Sequence, residues 1–104
     1  MNLLERIPYG HEHPMPRPAD KYKDRTLRKQ IEEANKNGDC IINNGTGYYR
    51  PVPGDVVDEA ELTAYLAKEL HRGRTIHAKR MAMKNTFEKW REYGVLTNHS
   101  GKTG

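Results

Sequence analysis

Five side chains able to make strong, directional hydrogen bonds fall within residues 25–30: Arg25, Thr26, Arg28, Lys29 and Gln30. Guanidinium and ammonium groups bind phosphate oxygens or guanine edges, while Thr and Gln make neutral hydrogen bonds to the same polymer. A second group follows in the stretch IINNGTGYYRP, residues 41–51. Its turn residues Asn43, Asn44, Gly45 and Thr46 are small and polar, so backbone N–H groups there can approach an anion. Arg50 places a cation at the base of the same ribbon. The candidate ligands for a polyanion are therefore Arg25, Thr26, Arg28, Lys29, Gln30, Asn44, Thr46 and Arg50.

Other chemistry finds little footing. His11 and His13 stand in a proline-rich stretch without further ligands at metal-site spacing. His71 and His77 are six apart, which on a helix turns them about 120° from each other, so they form no i, i+4 metal pair. Asp58, Glu59 and Glu61 suit a helix N-terminus, where negative charge is stabilised. The sequence NGTG lacks the lysine of a phosphate-binding loop. Cys40 is the only cysteine, so no intrachain disulfide forms, and its neighbours Ile41 and Ile42 mark it as an apolar strand residue. No nucleophile–base arrangement is evident. A non-enzymatic protein is expected, with no catalytic residue, metal, cofactor or small-molecule substrate.

The elements that position these groups are mainly helical. Asp24 is expected to cap a helix running to Lys36, with Leu27, Ile31 and Ala34 as its apolar stripe and Asn37-Gly38 as its stop. Cys40–Ile42 and Tyr48–Arg50 read as the strands of a hairpin, in which one tyrosine faces inward and the other stays partly exposed. An isolated hairpin is marginal in water, so it must pack on the preceding helix. Ahead of these lies NLLERIPYGHEHPMPRPADKY, a short helix or turn followed by an extended arm broken by prolines.

After the linker PVPGDVV, Asp58 is expected to cap a second helix, with Glu61 closing a capping box and Val57 and Leu62 forming a staple. The pattern continues to Glu92, interrupted by Gly73. Leu62, Leu66, Ile76, Met83, Phe87 and Trp90 lie on a heptad-like seam. That seam has two outlets: dimerisation through Ile76, Met83, Phe87 and Trp90, or a fold back at Gly73 into an intrachain helical hairpin. The chain thus divides into a helix–hairpin unit with its arm (1–52), a linker and long basic amphipathic helix (53–94), and a flexible tail (95–104).

Charge points the same way. The formal net charge is +4 and the pI is 9.3. Residues 1–57 carry nine Lys/Arg against eight Asp/Glu, whereas residues 68–91 carry eight against two. The long helix, with Arg72, Arg74, Lys79 and Arg80, is therefore a competing anionic-partner surface. Only 35% of residues are hydrophobic and the mean hydropathy is −1.01, which limits the core. With no apolar run of bilayer length and no leader-like core, a soluble cytoplasmic protein is expected.

A helix followed at once by a two-stranded ribbon is how a winged helix-turn-helix ends, the helix entering the major groove and the wing lying over the backbone. DRTLRKQIEEANKNGDCIINNGTGYYRP (24–51) resembles the recognition helix and wing of small winged-helix proteins encoded by prophages of Gram-positive bacteria. More remotely, it is similar to the DNA-binding domain of biotin-operon-type repressors. Asp24, Arg25, Leu27, Arg28, Ile31, Glu32, Gly38, Ile41, Gly47, Tyr48, Tyr49 and Pro51 carry the likeness. It implies double-stranded DNA as partner, in transcription regulation, replication or excision. The family places a full helix before the recognition helix, where this chain has MPRPADKYK. The competing expectation is a protein–protein adaptor or inhibitor on a winged-helix scaffold, dimerising through its C-terminal helix.

Overall fold

The structure, a computed structural model, describes residues 3–70 and 76–93, without the side chains of residues 69, 70, 76 and 77. A single 3-10 turn, Leu3–Arg6, and a non-helical arm precede helix α1, Lys21–Lys36. Strands β1 (Ile42–Asn43) and β2 (Tyr48–Tyr49) form an antiparallel pair, and helices α2 (Val56–Leu70) and α3 (Ile76–Tyr93) follow. The protein is mainly helical with one small hairpin.

Helix α1 starts earlier than its apolar stripe suggests. Asp20, not Asp24, is the N-cap, its carboxylate accepting from the amides of Tyr22 and Lys23 at 2.8 and 3.2 Å. Pro18 blocks extension further back. Leu27 and Ile31 are buried as expected. Between them and the hairpin, the buried Asn35 side chain donates to the Ile41 carbonyl at 3.0 Å and accepts from the Ile41 amide at 2.8 Å. A helix side chain thus serves as a substitute strand partner.

The hairpin divides the interior into two. Ile41 and Tyr48 face one cluster, with Ile7, Leu27 and Ile31. Ile42 and Tyr49 face the other, with Cys40, Leu62, Leu66, Met83 and Phe87. This is the period-2 alternation of a strand used on both sides. The expectation of one partly exposed tyrosine is therefore corrected: both are buried. The reason is the arm, which packs against the sheet. The amides and carbonyls of Met15 and Tyr48 exchange hydrogen bonds at 2.8 Å, and the Gly10 and Arg50 amides donate to the Arg50 and Pro8 carbonyls, also at 2.8 Å. β2 consequently has β1 on one edge and the arm on the other. At Gly47 a Cβ would stand 2.4 Å from the Met15 carbonyl oxygen, so only glycine admits the arm.

The start of α2 also differs from expectation. Asp55 does the capping, accepting from the Asp58 amide at 3.0 Å with its carboxylate and from the Glu59 amide at 2.9 Å with its carbonyl. Asp58 lies one turn inside and is fully buried, and Val57 is exposed, so neither the Asp58–Glu61 box nor the Val57–Leu62 staple forms. Glu61 instead accepts from the hydroxyl of Tyr49 and from Asn44 at 3.3 Å.

The seam resolves as an intrachain hairpin of helices. Leu62 and Phe87 share one cluster, yet in an unbroken helix their 25-residue separation would hold them about 38 Å apart. Met83 and Phe87 are buried within the monomer and Trp90 packs against the same cluster, with its ring edge-on to Tyr9 at 5.8 Å. Met83 and Phe87 are therefore core residues of one chain rather than a dimer surface, and Trp90 lies partly buried beside them. The side chain of Ile76 and the break at Gly73 lie outside the described residues.

Candidate nucleic-acid interface

Helix α1 presents Arg25, Thr26, Arg28 and Lys29 as exposed side chains, because Leu27 and Ile31 turn the opposite face inward. Arg25, Arg28 and Lys29 line a concavity of about 600 Å3 together with Asn43 and Tyr48 of the hairpin, Tyr65 of α2 and Arg17 of the arm. Helix and hairpin thus flank one cationic groove. Gln30 is half-buried on the other flank of α1, in a shallow depression with Leu4, Glu33 and Asn37.

Asp24 ties three residues of this site together. Its buried carboxylate accepts from Arg17 at 2.9 Å and from the Tyr48 hydroxyl at 3.2 Å, with the Arg28 Nε 3.4 Å away. The hydrogen bond from Arg17, backed by that from Tyr48, holds the Asp24 carboxyl below the usual carboxylate range in spite of burial. Burial and the Asp24 charge push the Tyr48 hydroxyl up. One acid therefore faces two guanidiniums. The other acid of the groove, Glu32, accepts from Lys79 at 3.0 Å.

Two of the hairpin candidates are committed elsewhere. Arg50 is buried: it forms a two-pronged pair with Asp39 at 2.8 and 2.9 Å and donates to the carbonyls of Ile7 and Leu4 at 2.6 and 3.2 Å. It fastens the 3-10 turn to the hairpin and is no wing cation. Asn44 is consumed by the turn, its oxygen accepting from the Thr46 and Gly47 amides at 2.9 and 3.2 Å and its amide reaching Glu61. Thr46 remains exposed at the tip.

The rival basic surface on the C-terminal helices is diminished as well. Lys79 is only 1% exposed, and Arg80 donates to the Leu66 carbonyl at 2.9 Å. Arg72 and Arg74 lie outside the described residues, as does His71, and the side chain of His77 is not described.

Two side chains of this candidate site escaped the sequence. Arg17 sits between prolines in the arm, with nothing in its spacing to bring it beside α1, and Asp24 passed for a cap. His11, for which the sequence offered no further ligands at metal-site spacing, meets buried Asp58 at 2.5 Å and Asp55 at 3.7 Å. The hydrogen bond to Asp58 raises the imidazole pKa against the pull of desolvation, and the charges of Asp58, Asp55 and Glu12 add to it. These three side chains offer ligand atoms within 4.8 Å of one another. Asp58 also accepts from the amides of His11 and Val52 at 3.2 and 2.8 Å, so its oxygens already serve as an anchor for arm and linker.

Burial pushes the Cys40 thiol up to about 12, so it carries no nucleophilic thiolate. Among the described residues no helix is long and apolar enough to cross a membrane. No protein-family model, curated protein or solved structure matches this chain.

Proposed function

We propose that this chain is a non-enzymatic DNA-binding protein of winged-helix type, with α1 as the helix that enters the major groove and the hairpin lying beside it over the backbone. The observation that carries this reading is the shared groove: Arg25, Arg28 and Lys29 are exposed on α1 and line one concavity with Asn43 and Tyr48 of the hairpin. Thr26 adds a neutral donor and acceptor on the same exposed surface. The likeness of residues 24–51 to prophage-encoded winged-helix segments favours the same reading, and with it a phage-borne role in regulation, replication or excision. The place of the helix that a helix-turn-helix sets ahead of its recognition helix is taken here by the arm. The arm is held to β2 by backbone hydrogen bonds and to α1 by the Arg17–Asp24 pair.

Because phosphate contacts release counterions, affinity for a duplex should fall steeply and log-linearly with salt. Mobility-shift titrations across a salt series test this, with Arg25→Ala/Lys29→Ala as the informative variant. Loss of retention in that variant, with its thermal unfolding unchanged, supports recognition by α1. Negligible retention of every duplex by the wild type at low salt would sink the proposal and favour the adaptor alternative.

A further inference from the structure

The groove beside α1 holds a cation that the winged-helix reading does not call upon. Arg17 belongs to the arm, and three features fix it there. Met15, two residues earlier, is bonded to Tyr48 through both its amide and its carbonyl. Pro16 and Pro18 flank Arg17 and restrict its backbone. Its guanidinium is tied to Asp24 at 2.9 Å. Such a side chain has little freedom left to lose when it meets a ligand.

Asp24 also sits 3.4 Å from Arg28 Nε. One carboxylate therefore orients two guanidiniums and neutralises only one of them. Each guanidinium carries five donors in a planar fork, of which Asp24 and Tyr48 can engage only a fraction. Both side chains remain half exposed, at 50% and 57%, and both line the same concavity. Glu32, the other acid there, is occupied by Lys79. A pair of fixed forks with surplus positive charge matches a tetrahedral oxyanion. We propose that Arg17 and Arg28, oriented by Asp24, form a clamp for one backbone phosphate of the nucleic acid that lies along α1. The clamp rests on the DNA-binding reading of this face and adds to it a residue of the arm and a positioning residue, Asp24.

The test is fluorescence anisotropy of the full chain with a random-sequence duplex, repeated across a salt series. Arg17→Ala should weaken binding about tenfold and make the slope of log affinity against log salt shallower by about 0.9. Arg17→Lys should keep the slope but recover only part of the affinity, since it keeps the charge and loses the fork. In an Asp24→Asn background, Arg17→Ala should change affinity far less than in the wild type, a coupling that mere destabilisation does not produce. Thermal melts of each variant verify folding.

If Arg17→Ala changes neither affinity nor slope while Arg25→Ala/Lys29→Ala abolishes binding, the clamp is wrong and the recognition helix stands. If the wild type binds no duplex at any salt, both fall. Polyglutamate competing as well as duplex at equal charge would overturn the choice of phosphate in favour of a carboxylate partner.

Discussion

Asn35 carries no charge and touches no ligand, yet its two bonds to Ile41 tie α1 to the hairpin. Asn35→Ala leaves the Ile41 amide and carbonyl buried without partners, and each such orphan costs about 1–3 kcal/mol. The variant should lose about 2–6 kcal/mol in urea unfolding monitored by circular dichroism, with the duplex affinity proposed for α1 unchanged per folded molecule. Asn35 also marks the limit of sequence reasoning at this scale. The helical stripe located Leu27 and Ile31, because burial of apolar residues follows a period. Polar partnerships follow no period. Arg50 and Arg17 are both arginines near a proline, and only the fold decides that one is buried against Asp39 while the other faces the groove.

At the level of elements, the hairpin and α1 were legible because turn chemistry and helical periodicity are local signals. The arm was not, since its backbone hydrogen bonds to the hairpin join residues 33 or more positions apart and leave no repeating pattern. Its clearest trace is a glycine. Gly47→Ala forces a methyl group into the Met15 carbonyl and should cost about 2–3 kcal/mol by pushing the arm off β2. Gly45→Ala, at a φ of +92° with open space around it, should cost only about 1–2 kcal/mol of backbone strain. Paired thermal melts of the two variants separate steric exclusion from conformational preference. A larger loss at Gly45 than at Gly47 would contradict the account of the arm. The α2 cap was misplaced for a related reason: Asp55 and Asp58 are equally good caps in sequence, and burial against His11 selects which one moves inside.

Across the whole molecule, the heptad-like seam was real but its partner was ambiguous, because a stripe that pairs two chains also pairs two helices of one chain. The shared cluster of Leu62, Leu66, Met83 and Phe87 settles it for these residues. Met83→Ala should destabilise by about 2–5 kcal/mol, and the midpoint of unfolding should be the same at low and high protein concentration. A midpoint that climbs with concentration would instead reveal a core shared between chains. The anchoring of the arm gives the molecule a pH signature. The His11 pKa is raised above its ordinary 6.5 in the folded state, so the stabilisation is complete below 6.5 and disappears as pH rises through the folded value. Asp24 works in the opposite direction: its contribution is full above 3.8 and vanishes as pH falls through its lowered folded value. Thermal midpoints of the wild type should therefore decline on the alkaline side of 6.5, and His11→Asn should flatten that limb alone.

The two tyrosines of β2 each end on an acid, Tyr48 on Asp24 and Tyr49 on Glu61, on opposite faces of the sheet. A slip of the pairing by one residue would turn every side chain to the other face and leave at most one of the two phenols within reach of an acid. So short a ribbon has almost no length from which to specify its alignment. The paired phenol–acid locks do that work, and whichever stimulus loosens one of them would let the ribbon lose its place.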